Sequence, residues 1–365
     1  MSGRVLLVVD LPGLILDRLA RDWRAHWSAV EHDVAYSEVT HPYALRRQAE
    51  RRGLLFWVDQ LAFARSPNTS AVPQVVMVHH LTPTEVSPML TRLQHADAIA
   101  TISRRWQARL RTLTGRDVWL VPHTIDTDRF APSPARGRLR ADLGVAEPEY
   151  VIGFSARAKS DAFGRKGIPL FLEVLAAAGA RWPNVVVLLI GAGWESLRPR
   201  IEATGCRSIH RVPRTTEDTA SLYPAMDVFL CTSSEEGGPC TILEAMACGV
   251  PPVTTDVGHV PETIDDGRHG FIARERTAGP FVAAIERLRA DPGLRARIGA
   301  AARARIVAER SHERVLPGVD YPGIYAEAAR TFAARSAGSR AWSRLRRVPL
   351  AARYGVRRSI DAVRG

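Results

Sequence analysis

The sequence predicts an α/β protein made of two doubly wound domains, and three observations carry that prediction. Short continuous apolar runs alternate with helical stretches, a Pro-, Gly- and Arg-rich segment interrupts them near residue 131, and the same alternation then restarts. Continuous apolar strands belong to parallel sheets covered on both faces, and strands alternating with helices build such sheets. A chain of 365 residues also exceeds what one ordinary core supports.

In the first half, the run VLLVV at residues 5–9 predicts the first strand, followed by a Pro-Gly loop and a helix over 15–26. Residues 75–78 predict a strand ending at His79-His80. Residues 96–102 predict another, closed by Ser103, a suitable cap for a helix starting at Arg104. Residues 118–121 end at Pro122-His123. The segment APSPARGR at 131–138 reads as linker. Beyond it come a strand at 151–154, a helix at 167–178 and a strand at 185–190 that ends in Gly191-Ala192-Gly193. A strand at 228–231, a helix at 241–248 stopped by Gly249, and a strand at 252–254 complete the pattern. The resulting division is a first domain over 1–132, a linker over 133–148 and a second domain over 149–316. A helix at 317–334 is expected to return to the first domain, and 335–365 is a basic tail.

Composition excludes several classes. Apolar residues at 46% and charged residues at 24% indicate a globular chain rather than a disordered or fibrous one. No apolar run approaches the roughly 18 residues that span a bilayer. The N-terminal apolar run is cut short by Asp10 and Pro12, which reads as a strand rather than a signal peptide, so a cytoplasmic location is expected. The four cysteines, Cys206, Cys231, Cys240 and Cys248, form no CxxC pair, and buried thiols are expected rather than a zinc site. The net charge is +12, and the tail from Arg335 to Arg364 holds nine arginines against one acid, Asp361. Such a tail points to an anionic partner. Arg46, Arg47, Arg51 and Arg52 precede LLFW at 54–57, and basic residues beside aromatics suit a membrane surface; the competing reading makes LLFW core and the tail a solvated end.

The most specific segment is SSEEGGPCTILEAMACGVP at residues 233–251. Glu236 follows a predicted strand and Glu244 lies in the first turns of the next helix. Between them Gly237, Gly238 and Pro239 present bare backbone N–H groups at a helix N-terminus, a natural site for hydroxyls and phosphate oxygens. Two carboxylates bracketing such a loop suit a sugar nucleotide. The competing reading is a capped surface helix with solvated glutamates.

Here the chain resembles the family 4 glycosyltransferases, a retaining group with the GT-B architecture of two facing Rossmann-like domains. The resemblance runs from the first strand to about residue 331 and rests on EGGP through EAMACG, then 253–258 and Pro261-Glu262. GFSARAKSDAFGRKG at 153–167, DDGRHGF at 265–271 and VPHTIDTDRFAP at 121–132 support it. It implies that Glu236 contacts the transferred sugar and Glu244 the ribose hydroxyls. It implies further that Arg157 and Lys166 neutralise the donor diphosphate. The Arg157-to-Lys166 spacing exceeds the family's usual one, so this loop carries an insertion, and Lys159 is the alternative to Lys166. His79 stands where the family faces the donor sugar from the acceptor domain, with His80 in place of the more usual Asp. The family's glycine-rich loop after the first strand is reduced to DLPG, leaving Gly13 for close approach. His123-Thr124 replaces the common Asn-Gly, and His123 either reaches the cleft or satisfies its turn. Thr241 and the backbone around Val212 complete the expected donor contacts.

These implications give an expected function: transfer of a hexose from a UDP- or GDP-sugar to a lipid-linked glycan or polysaccharide precursor. The first domain would bind the acceptor and the second the donor. No resident cofactor and no metal are expected, since the nucleotide sugar is a co-substrate and no metal-binding DxD stands at the donor site; Asp265-Asp266-Gly267 reads as a turn. The alternatives are a soluble tailoring enzyme acting on a small natural product, a GT-B epimerase or phosphorylase, and a nucleic-acid-binding protein. No nucleic-acid motif supports the last, so no nucleic-acid partner is expected. The basic tail implies a peripheral position on the inner membrane face.

Overall fold

The computed structural model describes residues 4–66, 71–158 and 164–334. Two six-stranded sheets, parallel throughout, form the two domains. The first contains β1 (Arg4–Val9), β2 (Glu31–Tyr36), β3 (Leu55–Trp57), β4 (Gln74–Val78), β5 (Ala98–Thr101) and β6 (Trp119–Leu120), in the order β2-β1-β3-β4-β5-β6. The second contains β7 (Tyr150–Ser155), β8 (Val185–Ile190), β9 (Arg207–Arg211), β10 (Val228–Cys231), β11 (Pro252–Thr255) and β12 (Phe271–Ala273), in the order β12-β11-β10-β7-β8-β9.

Alternation along the strands feeds a core on each face of each sheet. In the first domain Leu7, Val9, Phe56 and Met77 point to one side, where Trp23 and Trp27 wait. Leu6, Val8, Trp57 and Val78 point to the other, against Phe63, Met89 and Trp106. Continuous apolar runs are therefore required, because neither face is solvated. Helix Tyr321–Ala334 returns to the first domain and enters its core through Ile324, Tyr325 and Ala328. Tyr325 Oη meets His32 Nε2 at 2.8 Å, and Trp119 Nε1 donates to Glu327 Oε2 at 2.7 Å.

Two sequence expectations change. LLFW does not face a membrane: Leu55–Trp57 is β3, between β1 and β4, and Phe56 and Trp57 are buried. Trp57 Nε1 donates to Gln74 Oε1 at 2.9 Å. Burying each such side chain stabilises the fold by about 1.5–3 kcal/mol, so the membrane reading of this segment is withdrawn. The segment read as linker over 133–148 contains helix Arg136–Asp142, which is part of the second domain. Arg136 and Arg140 both bind the buried carboxylate of Asp227, at 2.7 and 3.0 Å. Leu143 and Val145 join that domain's core.

The tail over 335–365 and Lys159 lie outside the described residues. All four cysteines are buried and unbridged. Within the described residues no helix is long and apolar enough to cross a membrane.

Candidate functional site

The site is built where β10 ends. Glu236 is 8% exposed, and Lys166 Nζ donates to its Oε1 at 2.6 Å. Arg165 approaches Oε2 at 3.4 Å and Ser233 Oγ donates to Oε1 at 3.0 Å. Burial raises the Glu236 pKa, but Lys166 and Arg165 outweigh it, so the carboxyl sits below its ordinary range and stays ionised. The loop carrying the two cations is fastened to the strand end. Ser234 N–H donates to the Arg165 carbonyl at 2.8 Å, and Thr232 Oγ1 to that of Gly167 at 2.9 Å. Gly167 has φ +65°, and a Cβ there would lie 1.8 Å from the Thr232 carbonyl oxygen. Only glycine lets the loop descend this close, and that descent brings Lys166 onto Glu236.

Gly237 and Gly238 are also sites of close approach. A Cβ on Gly237 would fall 2.1 Å from the His79 carbonyl oxygen, and one on Gly238 would fall 2.4 Å from the His259 ring. Pro239 leads into helix Cys240–Ala247, and Pro239, Thr241, Ser155, Lys166 and Glu236 line one small cleft. Burial pushes the Cys240 thiol up to about 12, which leaves it protonated and a poor nucleophile.

Glu244 lies on the same helix and is buried. Arg18 of helix Ile15–His26 donates to its Oε1 at 2.5 Å, and Tyr223 Oη donates to its Oε2 at 2.5 Å. The guanidinium of Arg18 also lies 5.3 Å from the Phe130 ring centroid. Glu236 and Glu244 are each paired with cationic side chains from another segment, Arg165 and Lys166 for the first and Arg18 for the second.

The first domain supplies the facing wall. His79 Nε2 donates to the Val58 carbonyl at 2.8 Å, and its ring lies 5.4 Å from that of His123. Burial pulls the His79 pKa down to about 4. The His80 pKa is lowered too, chiefly by burial, with Glu236 opposing, and His80 also senses Arg165 and Lys166. Of the two imidazoles, His80 is the one in electrostatic range of the Glu236 cluster, while His79 is committed to Val58. Gln60 clamps the pair: its Oε1 accepts from the His79 N–H at 2.6 Å and its Nε2 donates to the His80 carbonyl. His123 Nδ1 donates to the Gly238 carbonyl at 3.0 Å, which joins the end of the first domain to the 237–238 loop. Glu262 of the second domain accepts from the Arg104 and Arg105 N–H groups at 3.0 and 2.9 Å, capping helix Arg104–Thr114 of the first.

Other expected residues lie at the rim. Arg157 is exposed beyond β7 and has no ion-pair partner among the described residues. Val212 is 53% exposed beyond β9. Gly13 has φ +76° and donates its N–H to Asp17 Oδ2 at 2.8 Å, with open space where a Cβ would sit. Sequence reasoning missed Arg165, Ser233, Arg18, Tyr223 and Gln60. Arg165 adjoins Lys166 and could have been proposed with it; the others carry no local signal. A pocket of about 760 Å³ opens elsewhere, lined by Pro132, Met226, Gly249, Arg303 and Val307 among others, with no carboxylate. The charged cleft is the better candidate because only it gathers ionised groups of both signs.

Residues 135–305 match the family described as Glycosyl transferases group 1. The GDP-mannose-dependent alpha-(1-6)-phosphatidylinositol monomannoside mannosyltransferase of Mycolicibacterium smegmatis is 29% identical over 222 residues, 57% of this chain and 57% of its own length. The D-inositol 3-phosphate glycosyltransferase of Corynebacterium jeikeium is 31% identical over 193 residues, 49% of this chain and 45% of its own length. This chain thus spans about half the length of the curated relatives it matches. Sucrose-phosphate synthase from Thermosynechococcus elongatus superposes with a TM-score of 0.73 at 19% identity, covering 89% of this chain and 99% of that one. Anabaena HepE, solved in complex with UDP and glucose, gives 0.71 at 19% identity, covering 91% and 99%. At such identities the likeness shows the fold alone. The second domain thus matches the group 1 glycosyl transferases, the family 4 group that residues 236–249 resemble, and the two parallel sheets give the chain the GT-B fold.

Proposed function

We propose that the chain transfers a hexose from a UDP- or GDP-sugar to a lipid-linked glycan or polysaccharide precursor, with retention at the anomeric carbon and without a metal. The observation that carries the reading is the convergence of Lys166 and Arg165 on the buried Glu236. Two cations against one carboxylate leave surplus positive charge where a departing nucleotide diphosphate needs it. The GDP-mannose dependence of one relative and the inositol phosphate specificity of another support a nucleotide-sugar donor and a polar or lipid-borne acceptor.

In this reading Glu244 holds the ribose and Glu236 orients the sugar and stabilises positive charge at its anomeric carbon. The bond from that carbon to the diphosphate oxygen breaks, and the acceptor oxygen bonds to the carbon on the same face. The acceptor's proton passes to a departing phosphate oxygen. Lys166 and Arg165, with Arg157 from the rim, offset the charge on the leaving group. The wall formed by His79, His80 and the 237–238 loop excludes water, which limits donor hydrolysis.

The test is nucleotide release from a panel of UDP- and GDP-sugars in EDTA, with Glu236→Gln and Lys166→Ala beside the wild type. One donor should be turned over slowly, and Glu236→Gln should lower that turnover by about 100- to 1000-fold. Turnover indifferent to both substitutions would remove the cleft from consideration, and turnover only with added divalent metal would overturn its metal-free character. NMR of the glycoside formed with an acceptor reports whether the anomeric configuration is retained.

A further inference from the structure

Among the described residues, Arg18 is the one cation of the first domain that forms an ion pair with a carboxylate of the proposed donor site. Its side chain is 14% exposed and that of Glu244 5%. Burial alone would pull the guanidinium pKa down, but Glu244 more than reverses the effect, so both groups remain ionised inside the protein. Such a pair is retained at a cost in desolvation, and well-packed apolar residues would join the domains at least as well. Its presence calls for a role that uses the charges.

Its position indicates one. Glu244 and Cys240 stand four residues apart on one helix and therefore on one face. Arg18 donates to Glu244 at 2.5 Å, one turn along the helix from Cys240. The first turn of that helix borders the cleft of Pro239, Thr241, Lys166 and Glu236. Phe130 supports the flat guanidinium from one side, while the long side chain leaves the fork able to swing along the helix. Both oxygens of Glu244 are already occupied by protein groups, Arg18 and Tyr223. Glu244 is only 3% exposed, so a ribose diol gains room at its oxygens by taking over one of those contacts. A diol is neutral, so replacing Arg18 with it strands a buried cation unless a new anion arrives at the same time.

We infer that Arg18 is a donor-binding residue contributed by the first domain, and that it exchanges Glu244 for the donor's diphosphate as the ribose takes Glu244. The inference rests on the donor-cleft reading above. One nucleotide carries both the diol and the anion, so a single binding event keeps every charge paired. It also ties helix Ile15–His26 of the first domain to a ligand held by the second, which makes the donor itself a clamp on the cleft.

Isothermal titration of UDP, GDP, uridine and guanosine into wild type, Arg18→Met and Arg18→Lys tests it. For the nucleotide that wild type binds, Arg18→Met should lose at least about tenfold in affinity for the diphosphate. Its affinity for the matching nucleoside should hold or rise, because Glu244 is released. Arg18→Lys keeps the charge and most of the apolar stem, and should recover part of the diphosphate affinity. If Arg18→Met does not fold, Arg18→Lys alone decides, by weakening the diphosphate several-fold and sparing the nucleoside. Diphosphate affinity equal to or above wild type in the variants would overturn the inference, as would equal losses for nucleoside and diphosphate. Failure of wild type to bind any of the four ligands would instead remove the donor-cleft reading, and this inference with it.

Discussion

The two walls of the cleft use glycine in opposite ways. In the first domain the described glycines, Gly13, Gly53 and Gly115, all have positive φ and open space where a Cβ would sit. They serve turns. Around the proposed donor site, Gly167, Gly237, Gly238 and Gly258 would each drive a Cβ to within 2.4 Å of a neighbouring atom. There the backbone of one segment rests on the backbone or ring of another. A wall assembled in this way fixes residue type at many positions, whereas a wall of helices and open turns leaves the choice free. If the first wall takes the acceptor, as proposed, it can change that chemistry without disturbing the fold, and the second cannot change much at all.

The comparison breaks most visibly at Gly167 and Gly13. Gly167→Ala combines a left-handed backbone with overlap on the Thr232 carbonyl and should cost about 3 kcal/mol or more. Gly13→Ala meets only the backbone term, about 1–2 kcal/mol. Urea denaturation of both variants measures the difference, and equal costs would abolish the distinction. The seam between the walls gives the next effect. Burial lowers the pKa of His79 to about 4, of His259 to about 3, and of His123 well below 6.5. Above pH 6.5 both folded and unfolded chains are neutral there and nothing changes. As pH falls from 6.5 toward 4 the unfolded chain takes up protons that the folded chain refuses. Each histidine then removes about 1.4 kcal/mol of stability per pH unit. Replacing His259 with Asn should flatten the fall in urea midpoint between pH 6.5 and 4.5, and an unchanged slope would contradict its burial as a neutral ring. The smallest effect belongs to Glu262, which crosses the seam to cap helix Arg104–Thr114. Glu262→Gln should cost about 0.5–1 kcal/mol and widen the domain separation seen by small-angle scattering. A variant identical to wild type in both would show that the cap carries no weight.

The same contrast explains what could be read from the chain. Central strands were legible because two covered faces demand unbroken apolar runs, as in VLLVV and VVVLLI. Two edge strands were not: β2 reads EHDVAY and β9 reads RSIHR, since one side of each meets water or a loop. β3 has only three residues, too few for a period, and the arginines before it invited a surface interpretation. In the site, Glu236, Glu244 and Lys166 belong to segments whose geometry dictates sequence over many consecutive positions. Arg18 meets Glu244 across 226 residues and Tyr223 meets it across 21, and neither neighbourhood is constrained by the contact. Their partners are set by how two domains dock, which no local pattern encodes.

The return of helix Tyr321–Ala334 has a consequence for synthesis. The aromatic face of the first sheet, with Trp23, Trp27 and Phe56, is completed by Tyr321 and Tyr325 of that helix. The domain begun first is thus finished after the second one, whose own strands lie within an uninterrupted stretch of chain. On the ribosome the later unit closes before the earlier one is covered. A fragment ending near residue 132 would leave those indoles and that phenyl ring wet and adhesive, so the two halves of this chain are poor candidates for separate expression.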